Sequence, residues 1–491
     1  MTYLLYALAV FWALRIAVNI ISYAHLWWVK EYRWDRMIIH LRTAQGRMFW
    51  WPQRRRQPVS PKSVFLVVAS CIILAGMAIS INAPILVRLL LADSFSFPVT
   101  WLLVLASALP TQVYHRMVIA RARYALSRHA FRHVIGITGS YSKTTVKDYV
   151  ATILSSRYCV LKTEASKNSP IGIAEVLLAG LKPDHEMFVA EMGAYKRGEI
   201  ACMARMVSPD IGIITAINEQ HQDLFGTMET TMKAKYELVE GLTGDKIAIM
   251  NLDDPRVSKM ASWAKRDGRK VWGVTLPISN HQPPISRICS KIFSAGEIRA
   301  GFEGIEFVCA SGNVKILVKA PVIGRHQARN IVTAIAASVA SGMTFPDAVA
   351  AAGNLRQNPK SLCLKPGING SLYINDTFNN SPDSVRAALD VLSWGKTRKI
   401  LVFQPMIELG KFASTAHASI GWYAASICDE IILTNRNFYS DFVLGAKRVS
   451  SGISIRVMTP DAAARKLTKT LRNNDAVLFK GKEAERVLNR V

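Results

Sequence analysis

Residues 134–145 read Val134-Ile-Gly136-Ile-Thr138-Gly139-Ser140-Tyr-Ser142-Lys143-Thr144-Thr145. An apolar, strand-like run enters a glycine-containing turn, and a helix-length segment opens at Lys143. Such a turn aims backbone N–H groups and a helix N-terminus at phosphate oxygens. Lys143 would then reach the β- and γ-phosphates, and the Thr144 hydroxyl would ligate Mg²⁺. The strict P-loop pattern is not met, because Ser142 stands where a glycine precedes the lysine and Ile137 replaces the first glycine. Taken alone, the segment reads equally well as a capped strand-to-helix turn.

The flanking pattern extends this start. Val134–Thr138, Met187–Glu191, Ile211–Ile217 and Lys246–Asn251 are short apolar runs, each followed by a helix-length segment. That alternation predicts an α/β fold with a doubly wound, mostly parallel sheet. Pro, Ser and Gly break residues 270–320 into short pieces such as Ile305–Cys309 and Lys315–Val318, which predict a small β-insertion. An alanine-rich helix is expected over Ala328–Ser341. A second, Rossmann-like α/β pattern begins near residue 356. Its strands are expected at Leu372–Asn375, Lys399–Phe403, Glu430–Leu433 and Ala476–Phe479, and its helices near 383–392, 414–427 and 461–472. The domains expected are a membrane anchor over 1–133, a central nucleotide domain over 134–354 and a C-terminal domain over 355–491.

The anchor is read from hydropathy and charge. The chain has 491 residues, too many for one ordinary core, and half of them are hydrophobic. Met1–Trp28 is apolar apart from Arg15, and the stretches Val64–Val87 and Phe97–Tyr114 are expected as two further spans. No basic region precedes the first stretch and no small-residue cleavage site follows it, which favours a retained segment over a signal peptide. Residues 1–133 hold 16 Lys/Arg against 3 Asp/Glu, so half of the net charge of +26 lies there. These cations cluster before the second stretch and after the third. Positive loops stay cytoplasmic, so three spans put the N-terminus outside and everything after His115 in the cytosol at the inner membrane. The basicity is thus topology, with no nucleic-acid partner implied. The seven cysteines include no CxxC pair and read as reduced thiols.

Further motifs follow the phosphate turn in order. They are Lys167-Asn168-Ser169-Pro170, Ala190-Glu191-Met192-Gly193 with Gly198-Glu199, and Asn218-Glu-Gln-His221 through Gly226 with Lys233-Ala-Lys235-Tyr-Glu237. Then come Asn251-Leu-Asp253-Asp254, Gly324-Arg-His326-Gln-Ala-Arg-Asn330, and Asn375-Asp376-Thr-Phe378-Asn379-Asn380-Ser-Pro382. Met406-Ile-Glu408-Leu409-Gly410 and Lys480-Gly481 are weaker matches. The ordered set resembles the Mur ligases over about residues 134–491, and within them the D-alanyl-D-alanine-adding branch.

That resemblance implies an ATP-dependent ligase that activates a carboxylate as an acyl phosphate and joins it to an amine. It places Gly136, Gly139, Ser140, Ser142, Lys143, Thr144 and Thr145 on the phosphates. It also places His326 and Asn330 on the adenine side and Asp376 on the ribose. Two Mg²⁺ sites are implied, one at Thr144 and Glu191 and one at His221, with a carbamylated Lys235 as an oxygen donor. Lys143, Glu191, His221 and Lys235 would carry the catalysis, and Asn168, Ser169, Asn379 and Asn380 would contact substrate. A carbamate requires a neutral lysine, so the site must depress the pKa of Lys235. The rival readings are a helix-capping Glu191, a plain loop histidine at 221 and a solvated face at Lys233, Lys235 and Glu237.

Three departures stand out. Ser142 replaces a glycine, the family's Gly-Arg pair after the junction proline reads Ser361-Leu362 after Pro359-Lys360, and Phe378 stands where Tyr is usual. In addition, apolar segments are expected in place of the UDP-sugar-binding domain. The substrates expected are therefore a cell-envelope precursor, lipid-linked or soluble, and an amino acid or amine acceptor. The alternatives are a capsule-type, poly-γ-glutamate-like synthesis and a nucleotide-binding scaffold without activity.

Overall fold

The computed structural model describes residues 2–30, 32–41, 59–164, 167–218, 227–276, 288–406, 409, 412–449 and 452–491. His221, Glu408 and the basic-loop residues Arg42, Arg47, Arg54, Arg55 and Arg56 lie outside the described residues. Met1–Val118 form one compact unit and Ile119–Val491 another.

The second unit carries two sheets. Strands β1 (His133–Thr138), β2 (Val160–Lys162), β3 (Met187–Glu191), β4 (Ile211–Ile214), β5 (Ile247–Asn251), β6 (Lys270–Thr275), β7 (Lys291–Gly301), β8 (Gly304–Ser311) and β9 (Val314–Ala320) build the first. Their order is β2-β3-β1-β4-β5-β6-β7-β8-β9. Pairing is parallel from β2 through β7, and β7-β8-β9 are antiparallel. The central strands are apolar on both faces because helices cover both, as parallel sheets require. Ile135, Ile137, Val189, Ile211, Ile213, Ile247 and Ile249 belong to one core with the helices Lys143–Leu154 and Gln327–Ala340.

The expected β-insertion is not a separate module. Strand β7 adds in parallel to β6, and its Phe293 and Ala295 share the core of Ile249 and Val274. Gly301, Gly304 and Gly312 lie at strand ends and in the turns between the strands, while Gly296 sits inside β7 at an irregularity of its register with β8.

The second sheet comprises β10 (Cys363–Pro366), β11 (Leu372–Asp376), β12 (Lys399–Phe403), β13 (Glu430–Leu433), β14 (Ser454–Val457) and β15 (Ala476–Lys480). Its order is β10-β11-β15-β12-β13-β14, with β10 antiparallel to β11 and the rest parallel. The four expected strands are present. The two that sequence missed, β10 and β14, are edge strands of four residues, too short and too little buried to leave an apolar run.

In the first unit, helices span Thr2–Val29, Pro61–Ser80 and Ile85–Ala106, with a further helix over Ala108–Ser127. Among the described residues three helical stretches are long and apolar enough to cross a membrane: Tyr3–Val29, Pro61–Ser80 and Ile85–Ser127. Ser60 caps the second by a reciprocal capping box with Ser63, and Pro61 occupies its first turn. The boundaries differ from expectation, since residues 88–96 between the second and third expected spans are helical and the break falls at Ile81–Pro84.

Pairing explains the difference. Arg88 Nε donates to the Ala83 carbonyl at the helix start. Asp93 Oδ2 takes Arg15 Nε at 2.9 Å, and its Oδ1 takes Asn19 Nδ2 at 2.6 Å. Arg15 and Asp93 each interrupt an apolar segment in sequence, yet they meet between two packed helices, where apolar surroundings favour such pairing. We expect Asp93→Leu alone to destabilise the detergent-solubilised protein by about 3 kcal/mol, with Arg15→Leu/Asp93→Leu recovering most of it. Thermal unfolding of the double-mutant cycle checks this, and additive losses would show that the two charges are not coupled.

Candidate active site

The parallel register brings three strand ends together. Ile137 pairs with Glu191 and Thr138 with Ile214, so the phosphate turn leaves β1 beside the end of β3 and the residues after β4. In open sheets ligands bind at such carboxyl ends. Gly139 sits at φ 150, and a Cβ there would lie 2.0 Å from Thr215 Oγ1. Thr215 Oγ1 in turn donates to the Tyr141 carbonyl at 2.6 Å, and the Ser140 N–H donates to the Ala216 carbonyl. Gly136 is needed for packing, since a Cβ would meet Leu238 Cδ1 at 2.6 Å. Ser142 adopts the left-handed φ 64, a conformation that glycine takes without steric cost.

A cleft of about 450 Å³ opens over these ends. Ser140, Ser142, Lys143, Thr144, Thr145, Asn168 and Glu191 line it from the first sheet's side, with His326 and Asn330 at the start of the helix Gln327–Ala340. Asp376, Asn379 and Asp383 line it from the second sheet's side. Lys143 Nζ donates to the carbonyls of Gly139 and Ser140 at 2.8 and 3.2 Å, folded back onto its own turn. Burial lowers its pKa, opposed by the nearby Glu191 carboxylate.

Glu191 is 2 % exposed. Its Oε1 accepts from Asn168 Nδ2 at 3.0 Å, while its buried Oε2 has no hydrogen-bond partner. A buried carboxylate oxygen left in this state suits a hard cation, and the Thr144 hydroxyl lines the same cleft. Among the described residues no group of three His, Cys, Asp or Glu side chains could hold a metal. A divalent cation here would have to complete its oxygen shell from phosphate and water. The capping role considered for Glu191 is not what the side chain does.

Lys235 is buried on the helix Met228–Glu240, and burial with the nearby Lys143 charge holds its pKa well below the ordinary lysine value. It pairs with no carboxylate among the described residues. Of the face read as possibly solvated, only Lys233 is exposed, paired with Glu229 at 2.7 Å. Glu237 instead accepts from the Gly198 and Ala201 N–H groups at the start of the neighbouring helix Glu199–Val207. His326 is pushed down to about 4, first by burial and then by Arg329 and Lys480, so it is neutral at physiological pH.

Some expected residues serve structure. Ser169 caps the helix Pro170–Gly180 through the Gly172 N–H. Asn380 Nδ2 donates to the Gln404 carbonyl at 2.7 Å. Neither lines the cleft, and neither does Lys235 or Gly136. Asp376 is bound to Lys480, its register partner at the end of β15. Among the basic residues near the junction where the expected Gly-Arg pair is replaced, Lys360 is tied to Glu485 at 2.7 Å, and Arg356 and Lys365 are exposed. Sequence reading missed Arg329, which lines the cleft and binds Asp253 at 3.0 Å. It also missed the buried Lys147, whose i+4 spacing from Lys143 was the available signal.

Comparison with known proteins agrees with this geometry. The Mur ligase middle domain matches residues 137–338, and the Mur ligase glutamate ligase domain matches residues 363–483. The UDP-N-acetylmuramoyl-tripeptide–D-alanyl-D-alanine ligase of Bacillus subtilis is 31% identical over 290 residues, 59% of this chain and 59% of that protein. The ligase of the same name from Escherichia coli is 31% identical over 289 residues, 59% of this chain and 61% of that protein. The chain therefore spans about three-fifths of the length of these relatives. Among solved structures, MurF from Acinetobacter baumannii superposes with a TM-score of 0.67 at 24% identity, covering 76% of this chain and 80% of that one. MurF ligase from Thermotoga maritima in complex with ADP gives 0.65 at 22% identity, covering 77% and 83%. These likenesses are of fold.

Two outcomes are expected. Ser142→Gly relieves left-handed strain and raises stability by about 1 kcal/mol, read as a higher Tm with nucleotide affinity retained. The depressed His326 favours the folded state while neutral, so its contribution is full above about pH 6.5 and is lost as pH falls through about 4. Stability against pH for wild type and His326→Asn checks it, the variant losing less stability over that window.

Proposed function

The chain belongs to the Mur ligase family, and from that premise we propose that it is a membrane-anchored, ATP-dependent amide ligase acting on a cell-envelope precursor. The observation that carries the reading is the meeting of Lys143, a Glu191 oxygen without a hydrogen bond and the Asp376 side of the second sheet on one cleft. In the reaction, a substrate carboxylate oxygen attacks the γ-phosphorus of ATP and ADP leaves, giving an acyl phosphate. An amine nitrogen then attacks the acyl carbon and loses its proton as inorganic phosphate departs, leaving an amide.

The residues suit each demand. Phosphoryl transfer needs positioning and charge neutralisation more than covalent help. The turn after β1 presents N–H groups, and Lys143 has only carbonyl partners to give up for a phosphate. Thr144 and Glu191 would hold one Mg²⁺, which when bound neutralises phosphate charge. Lys235 is held toward the neutral amine that carbamylation requires, and its carbamate would serve a second Mg²⁺ together with His221. Neutral His326 and Asn330 would meet the base, and Asp376 the ribose. Enclosure between the two sheets would keep water from the acyl phosphate.

The substrates follow from the relatives and the anchor together. A UDP-muramoyl-tripeptide-like acid and a D-alanyl-D-alanine-like amine are the first candidates. Residues 1–133 fall outside both matched domains and hold the apolar helices, which favours a lipid-linked form of the acid at the cytosolic face of the inner membrane. The same helices suit a capsule-type polymer, so the assay must include poly-γ-glutamate-like acids.

The test is phosphate release by the full-length protein in nanodiscs with ATP, Mg²⁺ and candidate acids and amines, with products identified by mass. Release that needs both acid and amine is expected. Normal ATP binding with no release under any pairing would overturn the ligase reading in favour of a scaffold. Lys235→Ala should lower the rate by about 100-fold, with partial rescue by small carboxylic acids and none by bicarbonate. A fully active variant would remove the carbamate.

A further inference from the structure

Lys147 lies on the helix Lys143–Leu154 one turn beyond Lys143, and the mechanism leaves it without a part. Its side chain is 2 % exposed. A buried ammonium is costly unless opposite charge surrounds it. Two carboxylates do so, Asp148 Oδ1 at 3.7 Å and Glu191 Oε2 at 3.8 Å, both beyond hydrogen-bond distance. Asp148 is already held by Lys162 at 2.7 Å. Glu191 Oε2 has no hydrogen bond at all, while Oε1 is tied to Asn168. Charges therefore alternate along Lys162, Asp148, Lys147 and Glu191, and the series ends on the carboxylate that lines the cleft.

We propose that Lys147 is a positioning residue that makes divalent-metal loading at Glu191 depend on nucleotide. The inference rests on the reading of Glu191 as a metal ligand. The argument is one of local charge. Glu191 is one carboxylate facing two ammonium groups, Lys147 and the nearby Lys143. In a buried setting Coulomb terms are strong, so a free dication meets a net positive neighbourhood. Nucleotide phosphates reverse that sign and bring the oxygens that the described residues do not supply. Lys147 stands behind Glu191 Oε2 and opposes the filling of the site by metal alone.

The experiment is Mn²⁺ binding to the full-length protein in nanodiscs, followed by electron paramagnetic resonance with and without ADP. Wild type is expected to show a saturable Mn²⁺ site only with ADP. Lys147→Met should bind Mn²⁺ without nucleotide about tenfold more tightly than wild type, and Lys147→Arg should behave as wild type. A purely structural lysine would not produce this gain. Should Lys147→Met fail to unfold cooperatively, Lys147→Gln replaces it in the same comparison. Wild type binding Mn²⁺ equally well without ADP, or no gain in the neutral variants, overturns the role of Lys147 while leaving the metal reading intact. ADP-dependent Mn²⁺ binding unchanged in Glu191→Gln overturns the metal reading itself.

Discussion

Burying a carboxylate in a protein interior is unfavourable unless charge and hydrogen bonds compensate it, and Glu191 imposes that requirement on everything around the end of β3. Asn168 satisfies one oxygen, Lys147 and Lys143 supply opposite charge, and the Thr163 hydroxyl takes the Glu191 N–H. The parallel pairing of β1 with β3 sets this carboxylate beside the phosphate turn. The turn itself can close only because Gly139 leaves room for Thr215. One oxygen of Glu191 remains without a hydrogen bond, with the Lys147 ammonium 3.8 Å away as its charge partner.

The same electrostatic logic recurs at two other places. Arg15 and Asp93 pair between apolar helices, so two residues that weaken the hydropathy signal together reinforce the packing. Asp376 and Lys480 pair at the ends of neighbouring strands on the other wall of the cleft. In each case two charges far apart in the chain are brought into register by secondary structure. The second pair fixes the Asp376 carboxylate at the end of β11, where it lines the cleft.

Much of the fold was legible because parallel strands are buried on both faces and leave unbroken apolar runs. Met187–Glu191, Lys399–Phe403 and Glu430–Leu433 are found as read. Reading failed where that rule does not apply. Edge strands β10 and β14 are half-exposed and four residues long, whereas the expected pieces Ile305–Cys309 and Lys315–Val318 lie within β8 and β9. The site was legible as an ordered set of motifs, yet a motif does not distinguish a residue that faces the cleft from one that holds its wall. Ser169 and Asn380 are of the second kind.

By itself the sequence determined the order of motifs, the two α/β patterns and the basic flanks of the apolar segments, since each is a property of local composition and spacing. Only the tertiary structure decided that Ser142 takes a left-handed backbone, that Arg15 neutralises Asp93, and that Lys147 stands behind Glu191. Those facts depend on which groups meet across the fold, and the energy of a charge is set by its neighbours in space.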